Sequence, residues 1–206
     1  MKVSVSFLTS KNIKEDLLIL DKTATGYIHV DVMDGNFVPN INEPYDNLSE
    51  LTLEKKLDVH LMVEDPISYI EKYAKLDPEY ITIHHEIDKD VMTLLDKIKS
   101  FGIKCGVSIN PDTDINVLKQ YLDKVDLILI MSVVPGKGGQ KFIEDTTNKV
   151  IEVRKMIDDV GRDIAICVDG GINDETISKV QGADIVVSGS YVLNSDHYQE
   201  KIESLT

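Results

Sequence analysis

The chain has 206 residues, of which 42% are hydrophobic, enough to bury one substantial core and near the upper size of a single domain. Its net charge of -14, from 36 acidic and 22 basic residues, argues against a nucleic-acid surface, which needs clustered Lys and Arg to neutralise phosphates. No apolar run approaches the roughly 20 residues that span a bilayer, and Met1–Ser6 lacks the apolar stretch and cleavage site of a signal peptide, so the expectation is a cytoplasmic protein with neither membrane nor nucleic acid as partner.

Short β-branched runs alternate with amphipathic segments from end to end, the signature of parallel βα units. The first strand is expected over Val3–Phe7, then a helix over Ile13–Leu20. Strands at Tyr27–Val32 and Leu57–Met62 flank a helix over Asp46–Lys55. A helix over Pro66–Lys75 leads to a strand at Tyr80–His84, and a longer one over Asp88–Phe101 leads to Lys104–Ile109. Asp114–Leu122 reads as helix before a strand at Leu127–Met131, Phe142–Val160 as helix before Ile164–Val168, and Asp174–Val180 as helix before Ile185–Ser188. A last helix follows Ser195. Pro66, Asp114 and Asp174 sit where helix N-terminal signals belong.

Eight such units match the smallest (β/α)8 TIM barrels, whose active-site residues lie at the C-terminal ends of the strands. A doubly wound open sheet is the competing architecture, but no GxGxxG follows the first strand. The whole of 1–206 therefore reads as one α/β barrel domain. Cys105 and Cys167 lie in strand-like apolar runs without a CxxC spacing, as buried small hydrophobes do.

The strand ends carry the chemistry. Alternate side chains of an extended strand share a face, so His29 and Asp31 point one way, as do Asp58 and His60. Asp169 closes a third strand. Taken singly, each of these is as readily a solvent-facing polar residue. Together at one barrel face, His29, Asp31, His60 and Asp169 form an N2O2 donor set for one divalent metal ion, zinc first, with manganese, iron or cobalt as alternatives. Glycine-rich turns follow the last three strands: Gly136, Lys137, Gly138 and Gly139; Gly170 and Gly171; Gly189 and Ser190. One alone is a tight turn, but three on one face, with Lys137, suit a phosphate held by backbone N–H groups within an acidic protein. Met33, Met62 and Met131 end three different strands and read either as core filler or as an apolar wall beside reacting carbons. Asp34 is placed to brace its own turn, and His84, His85 and Glu86 either brace the site or meet substrate.

The strings His29–Gly35 with Phe37–Asn40, Asp58–Val63, Met131–Val133 with Pro135–Gly136, and Val168–Gly171 closely resemble the ribulose-phosphate 3-epimerase family, in order and spacing from Ser6 to Ser190. The resemblance implies a barrel of the ribulose-phosphate-binding type and a metal-dependent isomerase that interconverts D-ribulose 5-phosphate and D-xylulose 5-phosphate in the pentose phosphate pathway. It implies metal ligands at His29, Asp31, His60 and Asp169, with Asp31 and Asp169 also the catalytic acid and base of a two-base proton transfer at C3. Substrate contacts would come from Ser6, His60, Met33, Met62, Met131, Asp169, Gly136–Gly139, Gly170, Gly171, Gly189 and Ser190. Lys137 stands where the family usually has an aromatic residue, and Glu43–Pro44 lacks the customary Gly before Pro. An epimerase for a hexulose phosphate such as D-allulose 6-phosphate is the near alternative, and a non-catalytic sugar-phosphate-binding barrel the distant one. Barrels of this kind often pair through their outer helices, so a homo-oligomer is expected.

Overall fold

The computed structural model describes residues 1–206. Its strands are β1 (Lys2–Ser6), β2 (Tyr27–Asp34), β3 (Ile41–Asn42), β4 (Leu57–Met62), β5 (Tyr80–His84), β6 (Lys104–Ile109), β7 (Leu127–Met131), β8 (Ala165–Asp169) and β9 (Ile185–Ser188). All except β3 are parallel, and β1 pairs with both β2 and β9, which closes the sheet into a (β/α)8 barrel. The helices are α1 (Ile13–Leu20), α2 (Tyr45–Ser49), α3 (Ile67–Tyr73), α4 (Val91–Ser100), α5 (Thr146–Val160), α6 (Ser190–Leu193) and α7 (Tyr198–Glu203). No helix is long and apolar enough to cross a membrane.

Strands buried on both faces explain the near-continuous apolar runs. Val3, Val5, Ile28, Val30, Val32, Val59, Leu61, Ile81, Ile83, Ile128, Ile130, Val168 and Val186 pack outward in one large core. The helices meet them there with Leu17, Leu20, Ile70, Leu94, Leu95, Ile98, Val150, Val153 and Ile157. The alternate positions fill the barrel interior, and they divide into two halves. Leu127, Leu129, Met131, Cys167, Ile185 and Val187, with Tyr27 and Tyr80, form an apolar interior cluster around β7–β9. The strands β1, β2 and β4–β6 instead bury Ser4, Ser6, His29, Asp31, Asp58, His60, Thr82, His84 and Ser108. Crowding is severe where the halves meet, for a Cβ on Gly106 would lie 2.4 Å from Thr82 Oγ1 and 3.1 Å from Leu127.

Four expected helices differ. In place of the expected Asp46–Lys55 helix only the short α2, Tyr45–Ser49, forms, because Oδ1 of buried Asp21 accepts the backbone N–H groups of Glu54 and Lys55 at 2.7 and 2.9 Å, holding that segment as a loop. Asp114–Leu122 is a 3₁₀ helix over Ile115–Gln120, rich in β-branched residues at its start and capped by Asp114 on the Asn116 N–H. Asp174–Val180 shrinks to a 3₁₀ turn over Ile177–Val180, since the Asn173 carboxamide takes the N–H groups of Glu175 and Thr176. Finally α5 starts at Thr146 rather than Phe142, because the preceding segment is bound elsewhere, with Ile143 N–H donating to the Ser132 carbonyl at 2.8 Å. The antiparallel β3, which pairs Asn42 with Met33 and Ile41 with Asp34, has no strand-like sequence signal at two residues long.

Candidate active site

Register brings the polar interior residues together. His29 pairs with Asp58 and Asp31 with His60 across β2 and β4, while Asp169 ends β8 beside Met131. One ligand atom from each of His29, Asp31, His60 and Asp169 lies within 4.8 Å of all the others. Asp31 Oδ1 is 3.5 Å from His29 Nε2 and 3.6 Å from His60 Nδ1. Asp169 Oδ2 is 3.6 Å from each of the same two nitrogens. Both nitrogens are buried and have no hydrogen-bond partner. Orphaned buried nitrogens are costly, and two facing two carboxylate oxygens fit a divalent cation in the donor set expected of it.

The other ring nitrogens are engaged. His29 Nδ1–H donates to Asp58 Oδ2 at 2.8 Å, and the same oxygen accepts from Ser4 Oγ at 2.9 Å. His60 Nε2 lies 2.8 Å from His84 Nε2, and His84 Nδ1 lies 3.0 Å from Glu86 Oε2. Burial disfavours charge on His29, but the Asp58 and Asp31 carboxylates outweigh it and raise its pKa well above the ordinary imidazole value. Burial also opposes ionisation of Asp31, yet His29 and His60 hold it far below the usual carboxylate range. Burial lowers His84 to about 4 despite its Glu86 partner. Glu86, against the effect of its own burial, is brought down to about 2 by hydrogen bonds from His84, Asn110 and Thr113.

Above the four ligand-type residues a cleft opens at the C-terminal ends of the strands. Ser6, Asp31, Met33, Met62, Met131, Asp169 and the turn residues Gly136–Gly139, Gly170, Gly171, Gly189 and Ser190 all line it. His60, also expected to touch substrate, is fully buried and does not line it, and neither does His29. Ser6 Oγ donates to Asp31 Oδ2 at 2.6 Å, leaving Oδ1 for the imidazoles. Asp34 braces its own turn, as its type and place suggest: Oδ1 accepts from Asn36 and Phe37 N–H, and Oδ2 from Glu64 N–H. His85 turns away to Tyr121 Oη at 2.8 Å.

The loop after β7 is anchored by polar side chains. Asn40 Nδ2 donates to the Gly136 carbonyl at 2.7 Å, and Gln140 Nε2 donates to the Val134 and Lys137 carbonyls. Ser132 Oγ donates to the Gly170 carbonyl at 2.6 Å, joining that loop to the one after β8. Gly171 has φ of +66°, and a Cβ there would come within 2.5 Å of the Phe142 backbone nitrogen, so both conformation and space require glycine. Sequence reasoning missed Ser4 and the structural role of Asp58. The alternation that pointed to His60 also marked Asp58 as inward, whereas a lone serine on an apolar strand gives no such signal.

The sequence profile described as the Ribulose-phosphate 3 epimerase family matches residues 2–193. The chain is 39% identical over 210 residues to a ribulose-phosphate 3-epimerase of Helicobacter pylori (strain J99 / ATCC 700824), covering 100% of this chain and 96% of that protein. It is 37% identical over 217 residues to a ribulose-phosphate 3-epimerase of Bacillus subtilis (strain 168), covering 100% of this chain and 98% of that protein. Among solved structures, the tryptophan synthase α subunit from Campylobacter jejuni superposes with a TM-score of 0.69 over 100% of this chain and 95% of that one, at 16% identity, a likeness of fold alone.

Proposed function

The chain belongs to the ribulose-phosphate 3-epimerase family, and on that premise we propose that it interconverts D-ribulose 5-phosphate and D-xylulose 5-phosphate, with Asp31 and Asp169 moving the proton at C3. One observation carries the reading: two carboxylates from non-adjacent strands, β2 and β8, flank the same pair of imidazole nitrogens at the floor of one cleft.

Inverting a carbon needs a base on one face and an acid on the other, and two carboxylates on one strand cannot supply that. Asp31 and Asp169 approach from different strands. One accepts the C3 proton and the other, protonated, delivers a proton to the opposite face, with negative charge spread over the C2 and C3 oxygens between the two transfers. In the reverse direction they exchange roles. His29, Asp31, His60 and Asp169 would hold one divalent metal ion, zinc suiting the set and manganese, iron or cobalt remaining compatible. When bound, such an ion supplies Lewis-acid stabilisation of that negative charge, worth several kcal/mol.

The remaining groups position and shield. Ser6 holds Asp31 Oδ2 and thereby fixes the plane of the carboxylate. Met33, Met62 and Met131 give an apolar wall that keeps water from the reacting carbon. The glycine-rich loops after β7, β8 and β9 take the phosphate on backbone N–H groups, with Lys137 as the one cation lining the cleft.

The test is proton NMR of the zinc-loaded protein with D-ribulose 5-phosphate in deuterated water, with and without chelator. The expected result is chelator-sensitive loss of the C3 proton signal together with appearance of D-xylulose 5-phosphate. Absence of both under metal saturation, with turnover of D-allulose 6-phosphate or of neither sugar, overturns the assignment.

A further inference from the structure

Glu86 lies outside the four ligand-type residues and does not line the cleft, yet it is tied to them by an unbroken line of nitrogen and oxygen atoms. We infer that Glu86 is a positioning residue for the cation site: through His84 it fixes which nitrogen of His60 carries hydrogen, and so keeps His60 Nδ1 bare toward Asp31 and Asp169. The inference rests on the reading of these residues as a cation site.

The argument is one of counting hydrogens. A carboxylate can only accept, so the contact between His84 Nδ1 and Glu86 Oε2 requires the hydrogen on His84 Nδ1. A neutral His84 then has a lone pair at Nε2. His60 Nε2, 2.8 Å away, must therefore be the donor in that contact. In the neutral form that can take a cation, His60 has one ring hydrogen, so with it on Nε2 the Nδ1 lone pair faces the two carboxylate oxygens. Each step follows from the charge at the end of the line.

The geometry leaves little freedom to break the sequence. His84 is fully buried, its ring centroid 4.6 Å from that of Phe37, and it meets His60 end to end, with centroids 5.0 Å apart and ring planes 26° from parallel. Glu86 Oε1 is already occupied by the Asn110 N–H at 2.7 Å and by the Thr113 hydroxyl, so Oε2 is the oxygen left for His84. His29 reaches the same outcome in one step through Asp58. Each imidazole is thus oriented by a carboxylate, one directly and one through an intervening ring.

Glu86→Gln is the informative substitution because the Asn110 backbone N–H can only donate. The glutamine oxygen must stay on Asn110, which turns the amide nitrogen toward His84 Nδ1. A donor there reverses every hydrogen bond along the line and places the His60 hydrogen on Nδ1, where it opposes a cation. The experiment is zinc affinity by competition with a chromogenic chelator, in four proteins: unsubstituted, Glu86→Gln, His60→Ala and the double variant. Expected is a loss of about 10- to 100-fold for Glu86→Gln, and no further loss when it is added to His60→Ala. Thr113→Val, which weakens the same anchor but keeps the carboxylate, should stay within about twofold of the unsubstituted protein.

Tight zinc binding that is unchanged by Glu86→Gln overturns the inference while leaving the proposed function intact, as does an equal loss in the His60→Ala background. No binding of zinc, manganese, iron or cobalt by the unsubstituted protein overturns the inference together with the cation-site reading it rests on, whereas the proton NMR assay tests the epimerisation separately. Should Glu86→Gln not fold, ¹⁵N NMR of the histidine rings in the unsubstituted zinc-loaded protein decides the matter. A hydrogen on Nδ1 of His84 and on Nε2 of His60 supports the inference, and a hydrogen on His84 Nε2 refutes it.

Discussion

At the scale of single residues the assignment of two carboxylates makes a demand that one carboxylate would not. With Asp31 as asparagine, Asp169 still faces C3 from its own side, and the converse holds for Asp169→Asn. Each variant should lose interconversion by about 10²- to 10⁴-fold, the usual range for removing an acid–base group. Each should still exchange the C3 proton of one epimer with solvent, and the two variants should act on opposite epimers. Deuterium incorporation at zinc saturation, followed separately for the ribulose and xylulose phosphates, checks this. Exchange of the same epimer by both variants would mean that both carboxylates reach the same face of C3, and exchange of both epimers by one variant that a single carboxylate serves both faces. Asp31 and Asp169 were legible in the sequence because a charged residue at the end of an apolar strand is anomalous. Ser6 was visible only through the family resemblance, and its physical part, holding Asp31 Oδ2, emerges from a contact between residues 25 positions apart.

At the scale of elements, strands were easier to read than helices, and Asp21 shows why. Nothing in the run after Asp46 forbids a helix to Lys55, but a carboxylate at the end of α1 takes the Glu54 and Lys55 N–H groups through a long-range contact that periodicity does not record. Asp21→Ala should therefore lower stability by about 1–3 kcal/mol in urea unfolding at neutral pH, since it removes two hydrogen bonds to a buried carboxylate. Burial works against ionisation of Asp21, but the Lys55 and Glu54 N–H groups and Lys22 bring its pKa below the ordinary 3.8. Its charge-dependent contribution is then fully present above the unfolded value and is lost as pH falls through the lower folded one. The stability gap between the unsubstituted protein and Asp21→Asn should hold steady from pH 7 to about 5 and narrow below about 4. The loop after β7 carries a separate expectation. Lys137 is exposed and engages in no ion pair, so Lys137→Ala should raise KM by no more than about fivefold, the scale of an exposed charge pair. Its kcat should be unchanged, and the difference should fade as salt rises. A drop in kcat instead would place Lys137 in the chemistry.

At the scale of the whole molecule, the eightfold alternation of strand and helix was legible, but closure was not, because an open sheet shares that pattern. What favoured a barrel was the placing of ligand-type residues after strands spread along the chain, and β1 pairing with both β2 and β9 is what allows β2, β4 and β8 to aim into one mouth. That same closure makes the fold and the site interdependent. Three buried or nearly buried carboxylates, Asp31, Asp58 and Asp169, and three buried imidazoles, His29, His60 and His84, sit in a barrel whose other half is apolar. A cation binding only the folded chain stabilises it by RT ln(1 + [L]/Kd), which is about 2.7 kcal/mol at a hundredfold excess over Kd. For a domain of this size that corresponds to a rise in Tm of roughly 5–11 °C. Stripping the protein with chelator should lower Tm by about that amount, and adding zinc back should restore it in proportion to the logarithm of free zinc. His29→Ala removes a ligand and should abolish most of the zinc-dependent shift, whereas Lys137→Ala, at the same mouth but on a loop, should keep it. A Tm that ignores chelator and zinc alike, while the chain still epimerises its substrate, would separate catalysis from the four-residue cluster altogether.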